Sequence, residues 1–194
     1  MMKNLIHDSL LSLEDYEKQR EQIKTDVINH KKHRSVMIGE HIILLFEDFL
    51  TIRYQVQEML RIEKISKEED IQQELAAYTP LIPDGNNLKA TMLIMYPNVI
   101  QRKQMLTKLN GIENEVWICA DNQKRVFAIS DEDLDRSNDR KTSAVHFLRF
   151  QFNDEYIESI KTATKIEIGT SHSEYESITK LSDSVCRSLL NDLD

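Results

Sequence analysis

Cysteine is scarce in this chain. Cys119 and Cys186 are the only two, they lie far apart, and neither belongs to a CxxC pair. A disulfide framework or a zinc knuckle is therefore not indicated, and a reducing cytoplasm is the expected setting. Glycine and proline are equally thin, at four and three residues, which argues against collagen-like, linker-rich or many-turned sandwich architectures and for prominent helices. No apolar run approaches the roughly 20 residues that a membrane-spanning helix needs. Met1 to Ser12 is broken by Asn4, His7 and Asp8, unlike the apolar stretch of a signal peptide. The expectation is a protein neither secreted nor embedded. Positive charge is in deficit, with 25 Lys and Arg against 33 Asp and Glu and a net charge of −8, which disfavours nonspecific attraction to nucleic acid or anionic lipid. The phosphate-cradling patterns GxxxxGKS, GxxxxGKT and GxGxxG are missing, as are GxSxG and the ligand pairs HxxxH, HExxH and ExxH.

What is present suits one folded unit. A hydrophobic fraction of 40% supplies a core and 30% charged residues supply an ordinary solvated surface, so a single α+β domain over residues 1–194 is predicted. Ser12 with Asp15, followed by Leu13, Tyr16, Ile23 and Val27 at helical spacing, predicts a helix over 13–32. Residues 36–38 and 42–46 around Gly39 predict a hairpin, with a further short strand over 50–52. Helices are predicted over 54–65 and, capped by Ser66 and Glu69, onward to about residue 77. The run 79–86, with Pro80, Pro83 and Gly85, predicts an ordered loop and a candidate hinge. A strand over 90–96 follows, then a helix opened by Pro97 and closed by Gly111. Residues 115–120 and 125–129 predict a second hairpin, and an acidic capped segment begins at Ser130. The last third predicts strands over 145–152 and 166–169, a short helix capped by Asn153, and a final helix with Tyr175, Ile178, Leu181, Val185 and Leu189 on one face. The expected architecture is a mixed or antiparallel sheet of about seven short strands packed with helices, long ones at both ends.

Several polar residues stand at positions of interest. At 100° per residue, Glu63 continues the line of Val56 and Met59, which turns a carboxylate toward the core and requires a cation, a hydrogen-bond donor or a metal. Arg20, on the apolar stripe of the first helix, is the structural partner it could find. Strand alternation puts His146 on the face of Leu148, Phe150 and Phe152. Together with His41 and His172, Glu63 or Glu58 would make a carboxylate–histidine site of the kind iron or zinc accepts; hydrogen-bonded structural histidines are the alternative. His30-Lys31-Lys32-His33-Arg34 is the one basic run. His30, Lys31 and Arg34 could orient a small anion with Glu58 as base, or simply complement the helix dipole at a C-terminus. Cys119 and Cys186 read as packing residues.

Five stretches resemble one family. They are His30-Lys31-Lys32, Leu45-Phe46-Glu47-Asp48, the run from Tyr54 to Glu63 (YQVQEMLRIE), Pro80-Leu81-Ile82-Pro83-Asp84-Gly85, and the run from Lys141 to Phe150 (KTSAVHFLRF). Together they resemble the bacterial domain-of-unknown-function 3501 family over nearly the whole chain. Where that family reads His-Pro-x-Tyr, this chain has His172-Ser173-Glu174-Tyr175 and lacks the proline. The resemblance brings no established activity. Through the gene neighbours of such proteins it implies a cytoplasmic accessory protein of an iron-linked redox or peroxide-response system, working beside rubrerythrin-like or iron–sulfur oxidoreductase partners. A plain interaction module without metal is the alternative, and an enzyme acting on a small anionic substrate is a third reading.

Overall fold

The computed structural model describes residues 5–132, 136–137 and 140–194. The acidic segment expected from Ser130 falls partly outside these. A helix α1 spans Leu13–Lys31, and Ser12 caps it by accepting a hydrogen bond from the Asp15 amide, as the sequence predicts. The hairpin β1 (Ser35–Ile38) and β2 (Ile42–Phe46) follows, then α2 (Phe49–Glu63) and α3 (Glu68–Tyr78), a 3-10 turn at Thr79–Leu81 and β3 (Asn87–Ile94). Helix α4 (Val99–Lys108) leads to β4 (Val116–Ala120), β5 (Val126–Phe127), β6 (Ile129–Ser130) and β7 (Val145–Gln151). Helix α5 (Asp154–Thr162), the hairpin β8 (Ile166–His172) and β9 (Tyr175–Lys180), and helix α6 (Asp183–Leu190) complete the described elements.

The fold is α+β, but its strands form two antiparallel sheets rather than one. The first runs β1, β2, β3, β7, β6 and the second β5, β4, β8, β9. The stretch expected as a single strand over 125–129 is divided between them. Val126 pairs with Ile118 in the second sheet, Ala128 is buried, and Ile129 pairs with Arg149 in the first. The chain thus crosses from sheet to sheet at one small buried residue. Alternate residues of the first sheet, among them Leu44, Met92 and Phe150, join Val116, Ile118 and Ile168 of the second in one core with Ile160 of α5 and Leu189 of α6. A smaller core gathers Ile52, Val56 and Leu60 of α2 against Ile71 and Leu75 of α3. Scarcity of glycine argued against paired sheets. Here several connections are helices, and Asp121 and Asp131 adopt left-handed backbone angles themselves, with φ of 45° and 49°.

Two predicted elements are corrected. Residues 50–52 open α2, because Asp48 accepts from the Thr51 amide and donates its own amide to the Thr51 hydroxyl, both at 2.9 Å; this reciprocal cap starts a helix whose buried face then repeats every four residues. Residues 175–180 are a strand, not the start of the last helix. Paired with β8 from His172↔Tyr175 to Glu167↔Lys180, they alternate half-buried and exposed, and α6 begins only after Ser182 caps it. Gly169 in β8 is required by close approach: a Cβ there would lie 2.5 Å from the Ser177 carbonyl oxygen and 2.7 Å from the Trp117 ring.

Candidate functional site

Three of the five family-like stretches meet at one cleft. The connection between α3 and β3, which carries Pro80 to Gly85, flanks two adjoining cavities of about 890 and about 490 Å³ that share Pro80, Asp84 and Lys89. Asp48, Phe49 and Leu50 at the start of α2 and Asp192 and Asp194 after α6 line the larger one. Glu47, Glu132, Phe147 and Arg149 line the smaller. Gly85 makes the turn with φ of 98°, a region that favours glycine, and its carbonyl accepts from the Asp194 amide at 2.8 Å.

Lys89 props this connection from the strand beneath. Its Nζ donates to the carbonyls of Pro80 and Ile82, both at 2.8 Å, and lies 3.8 Å from Asp84. Burial pushes the Lys89 amine below its ordinary pKa. Glu47 is buried and accepts from the hydroxyls of Thr51 at 2.7 Å and Thr91 at 2.9 Å. Arg149 grips Glu132 with two bonds of 2.7 Å. The hinge expected at 79–86 is thus a loop held from β3.

The basic run sits behind the cleft wall rather than on it. Arg34 is 2% exposed. Its guanidinium donates to the carbonyls of Phe46, Glu47 and Ser188 at 3.0–3.1 Å and pairs with Asp192. His30 Nε2 lies 2.5 Å from Asp48, and Arg34 Nε is 3.6 Å from the same carboxylate. Burial opposes ionisation of Asp48, yet Arg34, the Thr51 amide and His30 outweigh it and hold its pKa below the ordinary value. Asp192, sharing the same guanidinium, is pushed up to about 6 by burial. His30 and Arg34 are therefore occupied by the protein's own carboxylates, which corrects their reading as free anion ligands. Lys31 is half-buried at the end of α1.

Glu58, the expected base, is committed as well. It accepts from Arg20 at 2.8 and 3.0 Å and from the Tyr16 hydroxyl at 2.6 Å. Its pKa falls to about 2, chiefly through Arg20. Arg20 accordingly pairs with Glu58 and not with Glu63, which is exposed at the last turn of α2; the inward orientation expected for Glu63 is not observed. The YQVQEMLRIE stretch also places Gln57, whose amide both donates to and accepts from the Leu11 backbone at 3.0 and 2.9 Å.

His146 does face inward, with 0% exposure. Its Nδ1 lies 2.5 Å from Asp131, and its Nε2 lies 2.7 Å from the Thr142 hydroxyl and 3.1 Å from the Ser143 carbonyl. Thr142 also donates to Glu113 at 2.9 Å. An Asp–His–Thr chain has the connectivity of a nucleophilic triad, yet none of the three lines either cavity of the cleft; its visible effect is to tie residues 131 and 142 to β7. The other expected metal ligands lie elsewhere. His41 stacks at 4.0 Å on Tyr96, its amide donates to the Tyr175 hydroxyl, and His172 faces Tyr175 across the β8–β9 hairpin. The rings of the two histidines bond different carbonyls, His41 that of Met95 and His172 that of Asn110, both at 3.2 Å. Among the described residues no group of three or more His, Cys, Asp or Glu side chains is placed to hold a metal ion.

Sequence reasoning on single residues missed Glu47, Asp48, Asp84, Lys89 and Asp192. The available signals were the LFED and PLIPDG stretches and one lysine inside the apolar run of β3.

The family model described as "Protein of unknown function (DUF3501)" matches residues 4–193. A crystal structure of a novel protein of unknown function from Burkholderia pseudomallei superposes with a TM-score of 0.93 at 50% identity, covering 99% of this chain and 100% of that one. No curated protein matches.

Proposed function

The chain belongs to the DUF3501 family of proteins of unknown function, and from that premise we propose that it is an accessory binding module, whose acidic cleft holds a basic, partly apolar segment of a partner protein. The composition of the cleft carries this reading. Six carboxylates, Glu47, Asp48, Asp84, Glu132, Asp192 and Asp194, line the two cavities against two cations, Lys89 and Arg149. Arg149 is spent on Glu132, and Asp48 and Asp192 are held from behind by Arg34; Lys89 is directed to backbone carbonyls, with Asp84 only at 3.8 Å, so Asp84 and Asp194 are the carboxylates exposed at the mouth. Phe49, Leu50, Pro80, Ile82 and Pro83 supply apolar wall between the charges. A cationic side chain on an aliphatic stem satisfies both kinds of surface.

The family resemblance supplies the partner class of this proposal, rubrerythrin-like di-iron proteins or iron–sulfur oxidoreductases, with redox chemistry carried by the partner. A metal shared by His41, Glu63, His146 and His172 finds no support in where these side chains sit. Isothermal titration of the full chain with a Lys/Leu-rich peptide and a Glu/Leu-rich peptide tests the reading. Preferential binding of the basic peptide, weakened by salt and by Asp84→Lys with Asp194→Lys, is expected. Equal binding of both peptides, or of neither, would overturn it.

A further inference from the structure

The two sheets do not end alike. The outer edge of β1 is covered where the Thr179 hydroxyl donates to the outward Met37 carbonyl at 2.7 Å, and the turn that ends β1 is capped by the Tyr175 hydroxyl, which donates to the Ile38 carbonyl at 2.8 Å. Strands β5 and β6 are two residues each. That leaves β9, six residues long and last in its sheet, as the one long edge open to pairing among the described residues.

Its hydrogen-bonding phase is fixed by its partner. Leu181 donates to Ile166 at 2.9 Å, and in an antiparallel ladder the bonded positions recur every second residue. Tyr175, Ser177 and Thr179 therefore turn their backbone groups toward β8. Glu176, Ile178 and Lys180 turn theirs outward, where no described group bonds them. The same three residues carry the exposed side chains, with Ile178 at 51% exposure.

We propose that a second copy of this chain pairs with β9 in antiparallel fashion about a two-fold axis at Ile178, joining the two four-stranded sheets edge to edge. An antiparallel partner must match outward-facing residues with outward-facing residues, so only even positions can meet. Centring on Ile178 sets Glu176 opposite the partner subunit's Lys180, and Lys180 opposite the partner subunit's Glu176, so one self-complementary strand gives two opposite-charge pairs. Lys180 already faces Glu167 across the hairpin, so each added carboxylate extends an alternating row. Ile178 faces Gly169, which in turn faces Trp117; the pairing continues this row onto the partner subunit's Ile178. Shifting the register by one step either way sets Ile178 against a charged residue and removes both Glu–Lys pairs at these positions.

Sedimentation velocity of the full chain over a wide range of concentration tests this. A reversible dimer is expected. Glu176→Lys alone, and Lys180→Glu alone, each turn two attractive pairs repulsive and should weaken the dimer by about tenfold or more. Glu176→Lys combined with Lys180→Glu restores the pairs and should restore the dimer. Both substitutions lie on an exposed face, and an unchanged thermal unfolding midpoint certifies the fold of all three variants. A chain monomeric at every concentration, a dimer insensitive to the single variants, or a double variant no better than the singles would each overturn the proposal.

Discussion

At His146 the inward face of β7 meets a carboxylate instead of a hydrocarbon. The imidazole is fully buried and both its nitrogens are engaged, one by Asp131 and one by Thr142. Removing it leaves Asp131, which is nearly buried itself, with Arg136 at 3.3 Å and the Phe147 amide, and leaves Thr142 with Glu113 as its acidic partner. Losing a buried hydrogen bond to a charged group costs about 1.5–3 kcal/mol. His146→Ala is therefore expected to lower the unfolding free energy read from urea titration by that amount; a change within about 0.5 kcal/mol, the range of surface substitutions, would show the network to be idle. Asp131 is placed by its left-handed backbone angle, which lets its other oxygen accept from the Phe147 amide at 3.0 Å. One residue thus both ends the pairing of β6 with β7 and orients the histidine.

Between elements, the decisive tie is that of α1 to α2. Tyr16 and Val27 are the only buried side chains of α1, so the helix cannot be held by apolar contact alone. Glu58 replaces the missing packing with bonds to Arg20, Arg61 and Tyr16. Its pKa lies at about 2 in the folded chain against an ordinary 4.5. A depressed carboxylate stabilises the fold fully above its unfolded value and loses that stabilisation as pH falls through the folded one. The difference in unfolding free energy between the protein and Glu58→Gln should accordingly be constant, at about 1–2 kcal/mol after allowance for solvent screening, above about pH 4.5. It should shrink toward zero as pH approaches about 2. Paired urea titrations across that window check it, and a difference independent of pH would reject the ion pair as its source.

Across the whole molecule Arg34 is the common anchor. Its guanidinium reaches the end of β2, the start of α2 and the end of α6, with Asp192 lying 158 residues further along the chain. A planar fork can serve several acceptors at once, and an ammonium on a flexible stem cannot. Arg34→Lys should therefore cost about 3–5 kcal/mol although charge is conserved, with the loss appearing as a lower denaturation midpoint at an unchanged slope. Full stability in that variant would mean that the C-terminal helix is held by its apolar face alone.

Local pattern alone determined much of this protein. Helix α1 with its Ser12 cap, the β1–β2 hairpin, the Asn153 cap and the inward turn of His146 all follow from periods of 3.6 and 2 and from side chains that reach only three residues away. The family-like stretches were legible as such, but not that three of them would meet at one cleft. What tertiary structure decided is which face of an element is covered and by what. Glu63 and Glu58 share α2, and only the positions of α1 and α3 decided that Glu58 would be enclosed while Glu63, at the helix end, would lie in water. Tyr175 to Lys180 fits helical spacing, and only pairing with β8 made it a strand. The cation at the end of α1 carried no mark of its distant carboxylate, because two charges far apart in sequence leave no period; they are brought together by the packing of everything between them.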